Sequence, residues 1–238
     1  MRDRLVIEAA RLFRSHGYAG TSTRTLAESL GLTKAALYHH FRNKDALLLE
    51  ICLESIARIE FAVSSALLGV GDSLERLQVA VIAHVGSALR DADMHATMLI
   101  EMRALSPADH DEVRRVRAGY EAHIRSLIDA AQRDRYLRPE PDARWLTLTL
   151  LNTLNWSIFW YRPDGESMPE EIGAKLLDVF LNGVLSSATR ELPETVSAGP
   201  PPATSQLDRI EAKLDALQST LPSLSAPHGR AHAQRRNR

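Results

Sequence analysis

Between residues 17 and 47 the chain gathers side chains that reach phosphates and base edges: Ser22, Thr23, Thr33, Lys34, Tyr38, His39 and Lys44. A lysine ammonium neutralises a DNA phosphate. Hydroxyl, ammonium and imidazole groups can read the major groove, whose donor and acceptor pattern distinguishes all four base pairs. Thr33, Lys34 and His39 are the candidates for base edges, and Lys34 and Lys44 for phosphates, with Tyr38 on the rim. Ala35 and Ala36 are small enough to let a backbone approach the groove closely. The chemistry expected is recognition of double-stranded DNA, with no bond made or broken.

Such side chains need two short helices and a tight turn to hold them. Ser22 or Thr23 offers a hydroxyl cap ahead of Leu26, Ala27 and Leu30, which form one apolar face. Gly31 follows the last periodic residue, where a left-handed backbone ends a helix, and Leu32 can fold back on the core. Thr33 caps the next helix, placing Leu37 and Phe41 inward and presenting free N–H groups and the positive end of the helix dipole at its start. The arrangement is a helix-turn-helix.

The same segment resembles the N-terminal domain of the tetracycline-repressor (TetR) family. It matches that pattern at Gly17, Tyr18, Thr21, Leu26, Ala27, Gly31, Thr33, Leu37, Tyr38, His40, Phe41, Lys44 and Leu47. The resemblance implies that Tyr38 and Lys44 hold phosphates and that Thr33 to Ala36 and His39 face an operator.

The chain of 238 residues is 45% hydrophobic and only 5% aromatic, enough for one small head and one larger body. Its net charge of −1 hides an asymmetry. Residues 1–47 carry eight Lys or Arg against four Asp or Glu, whereas residues 48–221 carry 17 against 26. The basic end is the one suited to nucleic acid. Cys52 is the only cysteine, so no intramolecular disulfide can form, and on the apolar run LLLEICLESI it reads as a small buried hydrophobe rather than a redox sensor. The opening MRDRLVIEAARLF lacks the apolar core of a signal peptide, which points to a cytoplasmic protein.

Beyond the head, caps and periodicity predict an all-α chain of about nine helices, three small and six larger. Asn43 caps a helix from Lys44 to Leu67, Asp72 with Glu75 starts one to Leu89, and another spans Asp91 to Leu105. Ser106 and Pro107 start a long helix to Arg135, followed by Asp142 to Tyr161 and Pro169 to Arg190. The run from Trp145 to Tyr161 holds no charge, yet its Asn, Thr and Ser residues argue against a membrane span. Burial on one side by the body and on the other by a second copy predicts a homodimer built on a four-helix bundle, with Ile172, Leu176, Leu177, Val179, Phe180, Val184 and Leu185 on the companion helix. The resemblance implies the same interface.

The expected organisation is a DNA-binding domain at 1–47 and a ligand-binding and dimerisation domain at 48–190. A Pro-rich linker at 191–204, a short heptad helix at 205–221 and a basic disordered tail at 222–238 follow. The heptads could pair with their copy or dock on a partner, and the tail could add non-specific phosphate contacts. Within the body, Arg103, Arg114, Arg115, Arg117 and Arg125 suit a phosphate, Trp156, Trp160 and Tyr161 suit a flat group, and Asn155 suits a carbonyl or amide; Arg103, Arg117, Tyr120, Asn155, Trp156 and Trp160 are the expected ligand residues. The alternative is a solvated face of arginines laced to Glu112, Glu121 and Asp129, with tryptophans filling core and interface. Two segments, EMRALSPADHDEVRRVRAGYE from Glu101 and LNWSIFWYRPDG from Leu154, resemble the acyl-CoA-responsive TetR members of fatty-acid and sterol-ring catabolism. That implies an acyl-CoA thioester as effector, although the chain departs from the pattern at Phe159.

No Glu-x-x-His pair, His-Glu-x-x-His, Walker loop, Gly-x-Ser-x-Gly or Gly-x-Gly-x-x-Gly occurs, so neither catalytic nor metal-binding residues nor a cofactor are expected. His84, His95, His110 and His123 read as separate surface or core histidines. The expected function is a sequence-specific repressor that binds a palindromic operator as a dimer and is released by a small molecule. A helical acyl-CoA carrier, a DNA-binding scaffold without ligand response and an interaction protein acting through its tail are the alternatives.

Overall fold

The computed structural model describes residues 1–182, which form helices joined by short turns and, among the described residues, no strand. Three helices make the head: α1 (Arg2–His16), α2 (Thr23–Ser29) and α3 (Lys34–His40). The body follows as α4 (Lys44–Ala66), α5 (Ser73–Arg90), α6 (Ala92–Glu101), α7 (Pro107–Arg133), α8 (Ala143–Trp156) and α9 (Pro169–Asn182). The far end of the helix expected to reach Arg190, the linker, the heptad helix and the basic tail lie outside the described residues.

Most helix starts are set by a side chain that satisfies an otherwise free backbone N–H. Ser22, Thr33, Asn43, Asp72, Ser106 and Asp142 each accept a hydrogen bond from the N–H three residues on. Two helices end earlier than their apolar periodicity predicts. The helix expected to run to Leu105 stops at Glu101 and tightens into a 3-10 turn over Met102–Ala104. The one expected to run to Tyr161 stops at Trp156 and tightens over Ser157–Phe159, where the buried Ser157 hydroxyl donates back to the Leu154 carbonyl at 2.6 Å.

The head does not have a core of its own. Leu5, Phe13, Leu26, Leu37 and Phe41 belong to one apolar cluster with Leu48, Ile51 and Cys52 of α4 and Met94, Met98 and Met102 of α6 and its end. Each such side chain removed from water contributes roughly 1.5–3 kcal/mol. A second cluster fills the body, with Leu77, Val81 and Val85 of α5, Ile124 and Ile128 of α7, Leu150 and Leu154 of α8 and Ile172 and Leu177 of α9. Helix α9 lies close on α5 because Gly173 lacks a side chain; a Cβ there would stand 3.1 Å from the Ile82 Cα. Among the described residues no helix is long and apolar enough to cross a membrane.

Candidate functional site

Helices α2 and α3 of the head are joined by a capped, hydrogen-bonded turn. Ser22, not Thr23, caps α2, its Oγ accepting the Thr25 N–H at 3.0 Å, and Thr23 is the first helical residue. Helix α2 ends with Gly31 at φ 65°, the Gly31 N–H donating to the Glu28 carbonyl at 3.1 Å and the Leu32 N–H to the Ala27 carbonyl at 2.8 Å. Those paired bonds close the turn and need the left-handed glycine. Thr33 Oγ1 then accepts the Ala36 N–H at 3.2 Å to start α3.

On α3 the inward residue is Leu37, whereas Thr33, Lys34, Ala35, Tyr38 and His39 are exposed and Ala36 is half-buried. Tyr38 keeps 43% of its surface, a large exposure for an aromatic beside a core. Five of the expected DNA-facing residues are therefore accessible on α3 and its cap. Lys44 is placed differently: its Nζ donates to the Tyr18 carbonyl at 2.8 Å and the Thr21 carbonyl at 3.1 Å and stands 4.1 Å from the centre of the Tyr18 ring. Two of its three donors thus strap the turn between α1 and α2, leaving one N–H for a phosphate. Arg2 ties the other side, with its guanidinium 4.5 Å from the Phe41 ring centre and hydrogen-bonded to Glu50 and the His40 carbonyl. Arg42, an exposed cation between α3 and α4, is not singled out by the sequence pattern because it lies outside both helices.

In the body, a cleft of about 330 Å³ opens between α4, α5, α6, α7 and α8. Of the six residues expected at a ligand, Arg117, Tyr120 and Asn155 line it. Arg103 is exposed on the 3-10 turn after α6, and Trp156 and Trp160 point outward, 64% and 49% exposed. Arg114, Glu121, Leu148, Leu151 and Asn152 are among the other residues of its rim and walls.

The cleft floor contains a pair of histidines that sequence separation concealed. His84 of α5 and His95 of α6 meet edge to face, with ring centres 6.2 Å apart. His95 Nε2 lies 2.9 Å from Asn155 Oδ1 and its Nδ1 3.1 Å from Ser55 Oγ, while His84 Nδ1 lies 2.6 Å from the Tyr120 hydroxyl. Burial disfavours the imidazolium, bringing His84 down to about 3 and His95 to about 4, with mutual repulsion of the rings adding to the shift of His84 and the Arg117 charge to that of His95. Both rings are neutral at pH 7. The Tyr120 phenol is pushed up by burial and by the Glu60 charge. Among the described residues no three His, Cys, Asp or Glu side chains converge as metal ligands.

Helix α6 touches both regions. Asp93, Thr97 and Glu101, spaced at four residues, face α1: Asp93 pairs with Arg14 at 2.9 Å, Thr97 donates to the Ala10 carbonyl at 3.0 Å, and Glu101 accepts the Tyr18 N–H at 3.1 Å. His95 and Met98, on its other side, line the cleft. Arg14 also reaches the Ile158 carbonyl beyond α8 at 3.3 Å.

Helix α8 carries a second accessible stripe. Trp145, Thr149, Asn152, Thr153 and Trp156 recur at helical spacing and are all exposed, Trp145 at 59%, as is Trp160 past the 3-10 turn. Burial of this uncharged segment within one chain is thus only half complete.

Two family profiles match the chain. Residues 5–51 match the profile described as "Bacterial regulatory proteins, tetR family", and residues 70–184 match "Tetracyclin repressor-like, C-terminal domain". Similar proteins include the HTH-type transcriptional repressor KstR2 of Mycolicibacterium smegmatis, 26% identical over 192 residues that cover 78% of this chain and 91% of that repressor. Among solved structures, the TetR family transcriptional regulator PfmR from Thermus thermophilus superposes with a TM-score of 0.72 at 35% identity, covering 77% of this chain and all (100%) of that one. AibR, solved in complex with isovaleryl coenzyme A and operator DNA, superposes with a TM-score of 0.67 at 26% identity over 75% of this chain and 97% of AibR.

Proposed function

The chain belongs to the TetR family of bacterial regulatory proteins, and from that premise we propose that it is a cytoplasmic repressor that binds a pseudo-palindromic operator as a homodimer and leaves it when an acyl-CoA thioester enters the body cleft. In this reading residues 1–47 bind DNA and residues 48–190 hold ligand and partner. Thr33, Ala35 and His39 enter the major groove, Ala36 lets the backbone approach, and Ser22, Thr23, Lys34, Tyr38 and the remaining N–H of Lys44 meet phosphates.

The observation that carries the reading is the double engagement of α6, whose His95 lines the cleft while Thr97, two residues on, holds the α1 backbone. A ligand that displaces α6 moves the head. Two heads related by a two-fold axis require half-sites about one helical turn apart or a multiple of it, so altered spacing lowers affinity. A coupling of roughly 1–3 kcal/mol changes occupancy 5–150-fold. The exposed residues of the α8 stripe and the exposed Val179 of α9 support a face for the second copy. Arg114 and Arg117 at the rim suit the phosphates of coenzyme A, and the likeness to AibR supports that class of effector.

The test is selection of bound sequences from a random double-stranded DNA library, followed by titration of the enriched probe with acyl-CoAs at fixed salt. A two-fold-symmetric motif released by one thioester is expected. Enrichment without release would leave a DNA-binding scaffold, and no enrichment would leave a carrier.

A further inference from the structure

Helix α3 is seven residues long and buries Leu37 alone among its own residues. A helix so short does not keep its shape in water without tertiary contacts. Its start is fixed by the Thr33 cap, and at its end the Phe41 N–H closes the last turn on the Leu37 carbonyl at 3.1 Å. The carbonyls past that bond have no partner inside the helix. One of them belongs to His40, the neighbour of the base-reading candidate His39.

Arg2 meets that end from α1. Its Nη1 donates to the His40 carbonyl at 3.3 Å, its Nε and Nη2 stand 3.2 and 3.0 Å from Glu50 Oε1, and its guanidinium carbon is 4.5 Å from the centre of the Phe41 ring. A cation at a helix C-terminus is also favoured by the helix dipole. Glu50 is a fixed post, because Leu47, Leu48 and Ile51 around it on α4 are buried in the cluster shared by head and body. With Nε, Nη1 and Nη2 each directed at a protein oxygen, this guanidinium is committed to α3 and α4. Arg2 precedes residues 5–51 that match the family profile, so the family pattern does not supply the contact.

The Arg2 side chain is 50% exposed, and an ion pair of that kind adds little stability. Its effect is on direction. A short helix held at one end can swing, and one held at both ends keeps its angle. A seven-residue helix is about 10 Å long, so a swing of about 10° carries its far end roughly 2 Å, more than a hydrogen bond to a base edge tolerates. We propose that Arg2 is a positioning residue for DNA reading: clamped between Glu50 and the His40 carbonyl, it sets the angle at which α3 enters the major groove and so governs the preference for operator over random sequence. This rests on α3 being the recognition helix of the function proposed above.

The test measures the affinity of the full chain for its selected operator and for random-sequence duplex at fixed salt, with thermal melts establishing that each variant is folded. In Arg2→Met the ratio of operator to random affinity is expected to fall about fivefold, the scale of an exposed ion pair with its hydrogen bonds, while affinity for random duplex stays constant. Arg2→Lys keeps the charge but not the planar fork, and leaves the ratio low. Glu50→Ala is expected to lower the ratio as well, and to add nothing in the double variant with Arg2→Met. An unchanged ratio in Arg2→Met overturns the inference. Equal losses on operator and random duplex also overturn it, making Arg2 a phosphate contact, as does tighter binding of both duplexes by Glu50→Ala at an unchanged ratio. If selection enriches no operator, the recognition-helix reading falls, and amide hydrogen exchange over residues 36–42 decides the clamp alone. Faster exchange in both Arg2→Met and Glu50→Ala upholds it, and unchanged exchange overturns it.

Discussion

The DNA-facing surface around α3 comes from one short run of sequence, Ser22 to Lys44, whereas the cleft floor takes one side chain from each of five helices: Ser55, His84, His95, Tyr120 and Asn155. In the first region the bonds that shape α2, the turn and the start of α3 join residues three to five apart, such as Thr33 to Ala36 and Leu32 to Ala27, and longer reaches such as Lys44 to Tyr18 only tie that unit down. In the second they join residues 36 to 60 apart. Local sequence can specify a surface that it forms alone, while a polar floor is specified by packing.

Acidification separates the two regions most strongly. The folded-state values of His84 and His95, about 3 and about 4, lie below the unfolded value near 6.5. Below that value the unfolded chain takes up protons that the folded one refuses, so stability is full above about pH 6.5 and falls on the way to pH 4. At pH 5 each ring costs on the order of 2 kcal/mol. Urea melts at pH 7 and pH 5 should show this loss in the wild type and a smaller one in His84→Phe; a flat profile would contradict a neutral floor packed by Ser55, Tyr120, Asn155 and Arg117.

Leu26→Ala probes the head from inside. Leu26 is fully buried (0% exposed), and its truncation should cost about 3 kcal/mol and weaken operator binding. Because the head shares its apolar cluster with α6, denaturation should remain one transition. An early separate transition would mean that the head is held by its own contacts.

Lys34→Ala sharpens the contrast from outside. Operator affinity should fall for all sequences alike, with the salt slope reduced by about 0.9, while thioester binding in the absence of DNA stays constant. A loss confined to particular base pairs would reassign Lys34 to base reading. Gly31→Ala should have the smallest effect, about 1 kcal/mol, since a Cβ meets nothing within 4 Å and only the φ of 65° opposes it. A much larger loss in thermal melts would point to a contact with α3 that the turn does not reveal.

These differences explain what could be read in advance. Thr33, Asn43, Asp72 and Ser106 were legible as caps, and Ser22 as one of two candidates with Thr23, because each bonds a backbone group three residues away. Arg117, Tyr120 and Asn155 were legible as chemistry, but so were Arg103, Trp156 and Trp160, and composition does not reveal which way a helix is rotated against its neighbours. The break at Ser157 was hidden within an unbroken apolar run. His84 and His95 were not legible as a pair because each stands on its own helix, and only the packing of α5 against α6 brings the rings together.

Cys52 has a practical use that its inertness makes possible. It is the chain's single thiol, fully buried (0% exposed) in the cluster shared by head and body, and burial pushes it up to about 12. A disulfide reagent such as Ellman's can reach it only while that shared cluster is open. The rate of colour release therefore clocks the parting of α4 from α1 and α6, and comparing it with operator bound or effector added would show in real time whether either one clamps the joint.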